Sequence, residues 1–298
     1  MAKHTRESIG LIGIGLVGTA LAENLLASGF GVIGYDIVES KRSKLEGLGG
    51  RAAASPREVA SGTGRVILSL MDSEVVRKVV EGPGGLIRAE DLPRYIIDTT
   101  TGDPEKTEAI ARRLLKQGVY YLDATISGSS EQIRNKEGVF MIGGPKEAFE
   151  ACEDIFKVVA KMYFHIGPSG SGSKAKLASN LILGLNRLVL AEGLVFAEKL
   201  GLDLKGFLSL LKATPAYSCA MDVKGEKMIE GDFHPQSRIL QHDKDLEIIL
   251  RYAEKRGQEL PLANLHKCIL EDAISLGEGD LDTSAVIKGI KRLARKKT

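Results

Sequence analysis

The chain is short of the residues that build metal, disulfide or membrane proteins. It holds three cysteines in 298 residues, Cys152, Cys219 and Cys268, an odd count with no CxxC pair. That argues against a disulfide framework or a thiolate zinc site and fits a reducing cytoplasm. The five histidines show no metal-ligand spacing, so no metal is expected. No apolar run approaches the ~18 residues of a membrane span. The opening MAKHTRES leads straight into a strand and has no apolar signal-peptide stretch, so a soluble cytoplasmic protein is expected. The net charge of +2 is too small a field to favour nucleic acid or an anionic membrane. Six basic residues (Lys288, Lys291, Arg292, Arg295, Lys296, Lys297) crowd the last 11 positions and leave −4 on the rest. They read as the C-terminal end of a helix, where cations offset the dipole, with a partner-binding tail as the alternative. There is no internal repeat.

What is present is an ordinary globular composition, 43% hydrophobic and 27% charged, long enough for one large domain or two. The first ~165 residues alternate β-rich runs with amphipathic stretches. Strands are expected at 9–13, 31–36, 65–70, 95–98, 119–123, 139–142 and 162–166. Helices are expected at 16–28 and from Ser55, Ser73 and Asp103. Ser55-Pro56-Arg57-Glu58 carries an N-cap, a proline at the first helical position and a capping-box acid. The rhythm changes after the Gly167–Gly172 punctuation. One helical pattern covers about 172–200, and others cover 203–213, 218–230, 240–256, 261–277 and 283–296. The expected domains are therefore 1–167, dinucleotide-binding, and 168–298, all-helical and joined by the long helix. A cleft between them is the default ligand site.

Gly13-Ile14-Gly15-Leu16-Val17-Gly18 follows a strand and opens a helix, the context a dinucleotide fingerprint requires. Gly13 permits the tight turn, Gly15 lets the backbone approach a pyrophosphate, and Gly18 lets the helix pack on the sheet. Asp36 ends the second strand, 18 residues after Gly18, where a carboxylate accepts the adenosine ribose hydroxyls of NAD. Lys41 and Arg42 would partly offset a 2′-phosphate, which leaves NADP as the alternative cofactor. The expected fold class is α/β: a Rossmann-type, doubly wound, mostly parallel sheet with a second all-helical C-terminal domain.

The segment Gly170-Ser171-Gly172-Ser173-Lys174-Ala175-Lys176-Leu177-Ala178-Ser179-Asn180 resembles the GxGxxxKxxNN signature of the β-hydroxyacid dehydrogenases. These include 3-hydroxyisobutyrate dehydrogenase and the tartronate and succinic semialdehyde reductases. Lys176 falls on the signature lysine and Asn180 on the second asparagine, four apart on one helix face. The resemblance implies that Lys176 is the acid/base and that Asn180 assists it. A positioned ammonium suits the charge that develops on a carbonyl oxygen as hydride arrives. Lys174, two positions earlier, reads as a solvated surface charge.

Asp123 to Ser129 (DATISGS) resembles the family's DAPVSGG loop, which implies that Ser127 and the backbone at Gly128 and Ser129 hold the substrate carboxylate or hydroxyls. By the same likeness Leu70, Met71 and Thr101 line the nicotinamide end of the cofactor, and Lys244 of a Lys-Asp-Leu motif reaches cofactor and substrate. The departures are Thr125 for proline, Ser129 for glycine, Ser179 for the first asparagine, Ser130-Glu131-Gln132 for small residues, and Ser237 for an aromatic seven residues before Lys244. They cluster where substrate selection is expected. Arg238 is a weaker candidate for a second anionic group.

The reading is an NAD(P)-dependent dehydrogenase of a small carboxylate-bearing 3-hydroxy acid or its semialdehyde. Phosphogluconate-type decarboxylases resemble the N-terminal half but run longer, and imine reductases typically lack the lysine. The alternative from another class is an inactive cofactor-binding interaction module. The apolar stripe of the long helix suggests a homodimer or homotetramer.

Overall fold

A computed structural model describes residues 6–295, so the first five residues, the side chain of Arg295, and Lys296 and Lys297 of the basic tail lie outside the described part. The chain divides into two compact units within a long helix, between Lys176 and Leu177.

The first unit contains β1 (Ser8–Ile12), α1 (Leu16–Ala27), β2 (Gly31–Tyr35), α2 (Glu39–Gly47), β3 (Arg51–Ala52), α3 (Pro56–Ser61), β4 (Arg65–Leu68), α4 (Ser73–Glu81), β5 (Tyr95–Asp98), α5 (Pro104–Leu115), β6 (Tyr120–Ser127), α6 (Ser130–Arg134), β7 (Val139–Gly143), α7 (Lys146–Ala151), α8 (Glu153–Val159), β8 (Met162–Gly167) and the start of α9 (Ser171–Lys199). The eight strands are ordered β3-β2-β1-β4-β5-β6-β7-β8. Each pairs in parallel with its neighbours except β6 with β7, which is antiparallel. Residues of β1 and β4 are buried almost throughout, as expected of parallel strands covered on both faces. Strand order reverses between β1 and β4, and in such sheets ligands bind at the carboxyl ends of the strands at that switch point.

The helix starts follow their sequence signals. Ser55 Oγ accepts from Glu58 N at 3.2 Å, while the Glu58 carboxylate reaches back to Ala54 N at 2.7 Å. Asp72 caps α4 by accepting from Glu74 N and Val75 N, and Asp103 caps α5 by accepting from Glu105 N.

The second unit holds the rest of α9 with α10 (Leu204–Lys212), α11 (Cys219–Glu230), α12 (Ile239–Lys255), α13 (Pro261–Ser275) and α14 (Val286–Arg295). Leu188, Ala191, Leu194, Ile239, Leu246, Ile269 and Leu270 form its core. No strand occurs among its described residues, as expected. One expectation fails on α9. It is long and apolar enough, by length and composition, to cross a bilayer, although somewhat under half of the qualifying stretch is buried within the protein. Asn180, Asn186, Arg187 and Glu192 interrupt every apolar run, which is why run length alone misses it. Leu177, Leu188, Ala191 and Leu194 pack in the core, so much of its apolar character is that of a core helix.

Candidate active site

The glycine turn is fixed by its own packing at two of its three positions. Gly13 has φ +93°, and a Cβ there would stand 2.2 Å from Ser69 O. A Cβ on Gly18 would stand 1.9 Å from Gly13 O. Gly15 differs: a Cβ there meets nothing within 4 Å. The protein's packing does not demand a glycine at this helix N-cap, whereas a pyrophosphate brought close to the helix N-terminus would. Gly15 also offers no side-chain cap to α1. Ile14 is buried, and Val17 packs against the core. Leu16, Ile37 and Met71, following β1, β2 and β4, are 75%, 84% and 79% exposed. Exposed apolar side chains beyond three strands suit the flat rings of a dinucleotide.

Asp36 is brought directly to this turn. Its Oδ2 accepts from Ile14 N at 2.8 Å and its Oδ1 from Val38 N at 2.9 Å. Each carboxylate oxygen retains capacity for a further donor, so ribose hydroxyls can still be accepted. Lys41 Nζ lies 3.6 Å from the carboxylate, and Arg42 donates to Asp36 O at 2.6 Å.

The ends of β4 and β5 are laced together. Leu70 N donates to Thr100 Oγ1 at 3.1 Å, Thr99 Oγ1 to Leu68 O at 2.8 Å, and Thr100 N to Asp98 Oδ1 at 2.9 Å. Tyr121 OH donates to the other Asp98 oxygen. Burial raises the Asp98 carboxyl, the Thr100 and Tyr121 hydrogen bonds offset only part of this, and the group is pushed up to about 6. Thr101 follows, half-buried.

Lys176 is positioned by a residue to which sequence reasoning gave no such role. Asp123, in the middle of β6, accepts from Gly170 N at 2.8 Å and Ser173 N at 2.7 Å, so a strand carboxylate caps the start of α9. Thr125, in place of the family proline, donates to Gly172 O at 3.0 Å. A Cβ on Gly172 would stand 2.3 Å from Asp123 O, so helix and strand touch backbone to backbone. Lys176 follows one turn later, half-buried. Lys174 is held to Glu108 at 2.6 Å and stays half-exposed, as its surface reading implies.

Asn180 is buried and donates to Asp245 Oδ2 at 3.0 Å. Only Lys244 of the Lys-Asp-Leu motif was assigned a role from sequence, yet it is the aspartate that fixes Asn180. Lys244 sits beside it on α12, half-buried. The segment leading into α12 is pinned by Asp282, which accepts from Lys224 Nζ at 2.9 Å, Gln236 N at 2.9 Å and Ser237 N at 3.1 Å. Arg238 is exposed and pairs with Asp280 at 3.5 Å.

The expected loop at 123–129 is strand as far as Ser127. Gly128 turns with φ +143°, a left-handed value that favours glycine. The expectation that the Ser129 backbone N–H is open to a substrate needs correcting. Ser129 caps α6 in a reciprocal box: its Oγ accepts from Gln132 N at 3.2 Å, and its N–H donates to Gln132 Oε1 at 2.8 Å. The Ser-x-x-Gln spacing was the available signal.

This sheet, with a glycine turn and a strand-end carboxylate at its switch point, defines a nicotinamide-dinucleotide oxidoreductase. The model of the NAD binding domain of 6-phosphogluconate dehydrogenase matches residues 8–167. That of the NAD-binding domain of NADP-dependent 3-hydroxyisobutyrate dehydrogenase matches residues 170–290. The chain is 32% identical to 2-(hydroxymethyl)glutarate dehydrogenase of Eubacterium barkeri, over 94% of this chain and 93% of that one. It is 31% identical to the cytokine-like nuclear factor N-PAC of Aedes aegypti, over 88% of this chain but 47% of that one. The solved 3-hydroxyisobutyrate dehydrogenase of Mycobacterium tuberculosis superposes with a TM-score of 0.86 at 25% identity, covering 94% of this chain and 98% of that one. The protein belongs to the β-hydroxyacid dehydrogenase family, NAD(P)-dependent oxidoreductases acting on the CH–OH group of small hydroxy acids.

Proposed function

We propose that the enzyme interconverts a small 3-hydroxy acid and its semialdehyde, with NAD preferred to NADP, Lys176 as the acid/base and Asn180 as its partner on the same helix face. The docking of α9 on β6 carries this reading. A carboxylate cap, a threonine hydroxyl and a glycine contact together fix the first turn of the helix bearing Lys176 and, one turn on, Asn180. So much positioning at one helix start suits a lysine that must meet a single atom.

The dinucleotide is assigned to the turn Gly13, Ile14, Gly15, Leu16, Val17, Gly18, to Asp36, and to Leu70, Met71 and Thr101; its nicotinamide ring, when bound, supplies or accepts the hydride. The Asp36 carboxylate would accept two ribose hydroxyls and repel a 2′-phosphate, which supports NAD. In reduction, the Lys176 ammonium donates its proton to the carbonyl oxygen as negative charge develops there. In oxidation, the neutral amine takes the proton from the hydroxyl. Asn180, held by Asp245, presents its carboxamide from a fixed direction. Ser127 and the Gly128 backbone are assigned to the substrate carboxylate, and Lys244 adds a cation for cofactor and substrate.

A cytoplasmic setting is proposed on the odd cysteine count without a CxxC pair. We assign self-association to α9, where Ile182, Val189 and Phe196 recur every seventh residue and are 62%, 65% and 64% exposed.

The test is a 340 nm assay pairing NADH or NADPH with glyoxylate and with succinic, tartronate and methylmalonate semialdehydes, and NAD or NADP with the matching hydroxy acids. Turnover with one pair is expected, lost at least a thousand-fold in Lys176→Ala with cofactor affinity unchanged. Preference for NADPH would overturn the Asp36 argument. Cofactor binding without turnover, unaffected by Lys176→Ala, would favour an interaction module.

A further inference from the structure

The capping box at Ser129 has a chemical consequence for the substrate. Ser129 N–H can be satisfied only by an acceptor, so the carboxamide of Gln132 must turn its oxygen inward, as it does at 2.8 Å. Its NH₂ group therefore faces away from the backbone, on an exposed side chain. The side chain lies along Gly128: a Cβ on that glycine would stand 3.6 Å from both the Cβ and Oε1 of Gln132. Gln132 thus binds the Ser129 N–H and lies beside Gly128, which stays exposed. It consumes the Ser129 donor and offers two N–H donors of its own in exchange. Local structure does not explain the choice of glutamine, because glutamate closes the same box equally well and adds a favourable charge at a helix N-terminus. A neutral donor in place of the better capping residue makes sense beside a bound anion.

We propose that Gln132 is a specificity-determining residue, whose Nε2 hydrogen-bonds the carboxylate end of the substrate in place of the Ser129 backbone N–H. The inference rests on the reading of Ser127 and Gly128 as the carboxylate-binding turn. It selects for substrates whose carboxylate reaches a side-chain amide standing proud of the backbone, and against those short enough to need the N–H itself.

Gln132→Glu tests it, since the box is kept and only charge and donor are changed. Malonate, a carboxylate with no carbinol to oxidise, is titrated calorimetrically into the NAD-loaded parent and into Gln132→Glu, Ser127→Ala and Ser130→Glu. KM and kcat are measured in parallel with the acid the parent turns over. At about 5 Å a like charge in a partly screened site weakens binding roughly ten-fold or more. Gln132→Glu is therefore expected to weaken malonate at least ten-fold and raise KM similarly, with kcat within about three-fold and Tm within about 2 °C. Ser130→Glu, the same charge two residues away, is expected to change affinity less than three-fold. Equal weakening by both glutamates would reduce the effect to general repulsion and overturn the proposal. Weakening by Ser127→Ala alone would also overturn it while leaving the carboxylate turn intact. Malonate binding absent from the parent, or indifferent to every variant, would remove the turn itself and the proposal with it. Unfolding of Gln132→Glu would contradict the capping geometry on which the proposal stands.

Discussion

Asp98 is a buried carboxyl group whose two oxygens are held by Thr100 N and Tyr121 OH. Its folded-state pKa of about 6 lies above the ordinary carboxylate value of 3.8. The sign follows from linkage: the folded state holds this proton longer, so its contribution to stability is fully present below about pH 4 and is lost as pH rises to about 6. A carboxamide in its place would carry no charge to bury and could still accept from Thr100 N. Asp98→Asn should therefore gain on the parent by up to about 3 kcal/mol between pH 4 and pH 7, read as the difference between urea unfolding curves. A constant difference across that range would mean that Asp98 titrates normally. At this scale the legible residues were those with a local signature. Gly13 and Asp36 could be placed because a positive φ and a strand-end carboxylate belong to one short stretch of chain. Asp123 and Asp245 gained no role, because their partners lie 47, 50 and 65 residues away, and no spacing rule reaches that far.

Among the elements, the strands β1, β2 and β4 to β8 and the helices of the second unit fall within a few residues of where hydrophobic period and caps place them, whereas the two-residue β3 was not anticipated. The helices α2, α6, α7 and α8 were not anticipated. Each is short, and α2 buries only Leu45, so its pattern carries almost no periodic signal. The antiparallel turn into β7 was also unreadable, because strand direction depends on how the intervening chain packs and not on the strand's own residues. The element that matters most chemically is the start of α9. Asp123→Asn would keep one acceptor oxygen and lose one of two capping bonds. The expected cost is about 1–2 kcal/mol of stability. Because Lys176 follows one turn later, kcat should fall ten- to hundred-fold while NAD affinity, set at the glycine turn, stays within about two-fold. An equal loss of both would make the cap a general support of the fold rather than a device for aiming the lysine.

For the molecule as a whole, the exposed stripe on α9 bears on assembly. If Ile182, Val189 and Phe196 meet a second copy, Phe196→Glu should reduce the mass measured by light scattering from a multiple of 32 kDa to 32 kDa itself. A parent that is already monomeric would dismiss the stripe as an interface. Strand β6 carries both Asp123, which anchors the helix of Lys176, the proposed proton donor, and Ser127, which opens the turn toward Gln132. The anchoring residue points its carboxylate at α9, whereas the capping box closes on itself within α6 and its N-cap. Residues 129–132 can thus be exchanged without unfastening the lysine, while Ile133 stays in the core. On the proposed function, a new substrate can be adopted by rewriting four positions, with the acid/base inherited unaltered.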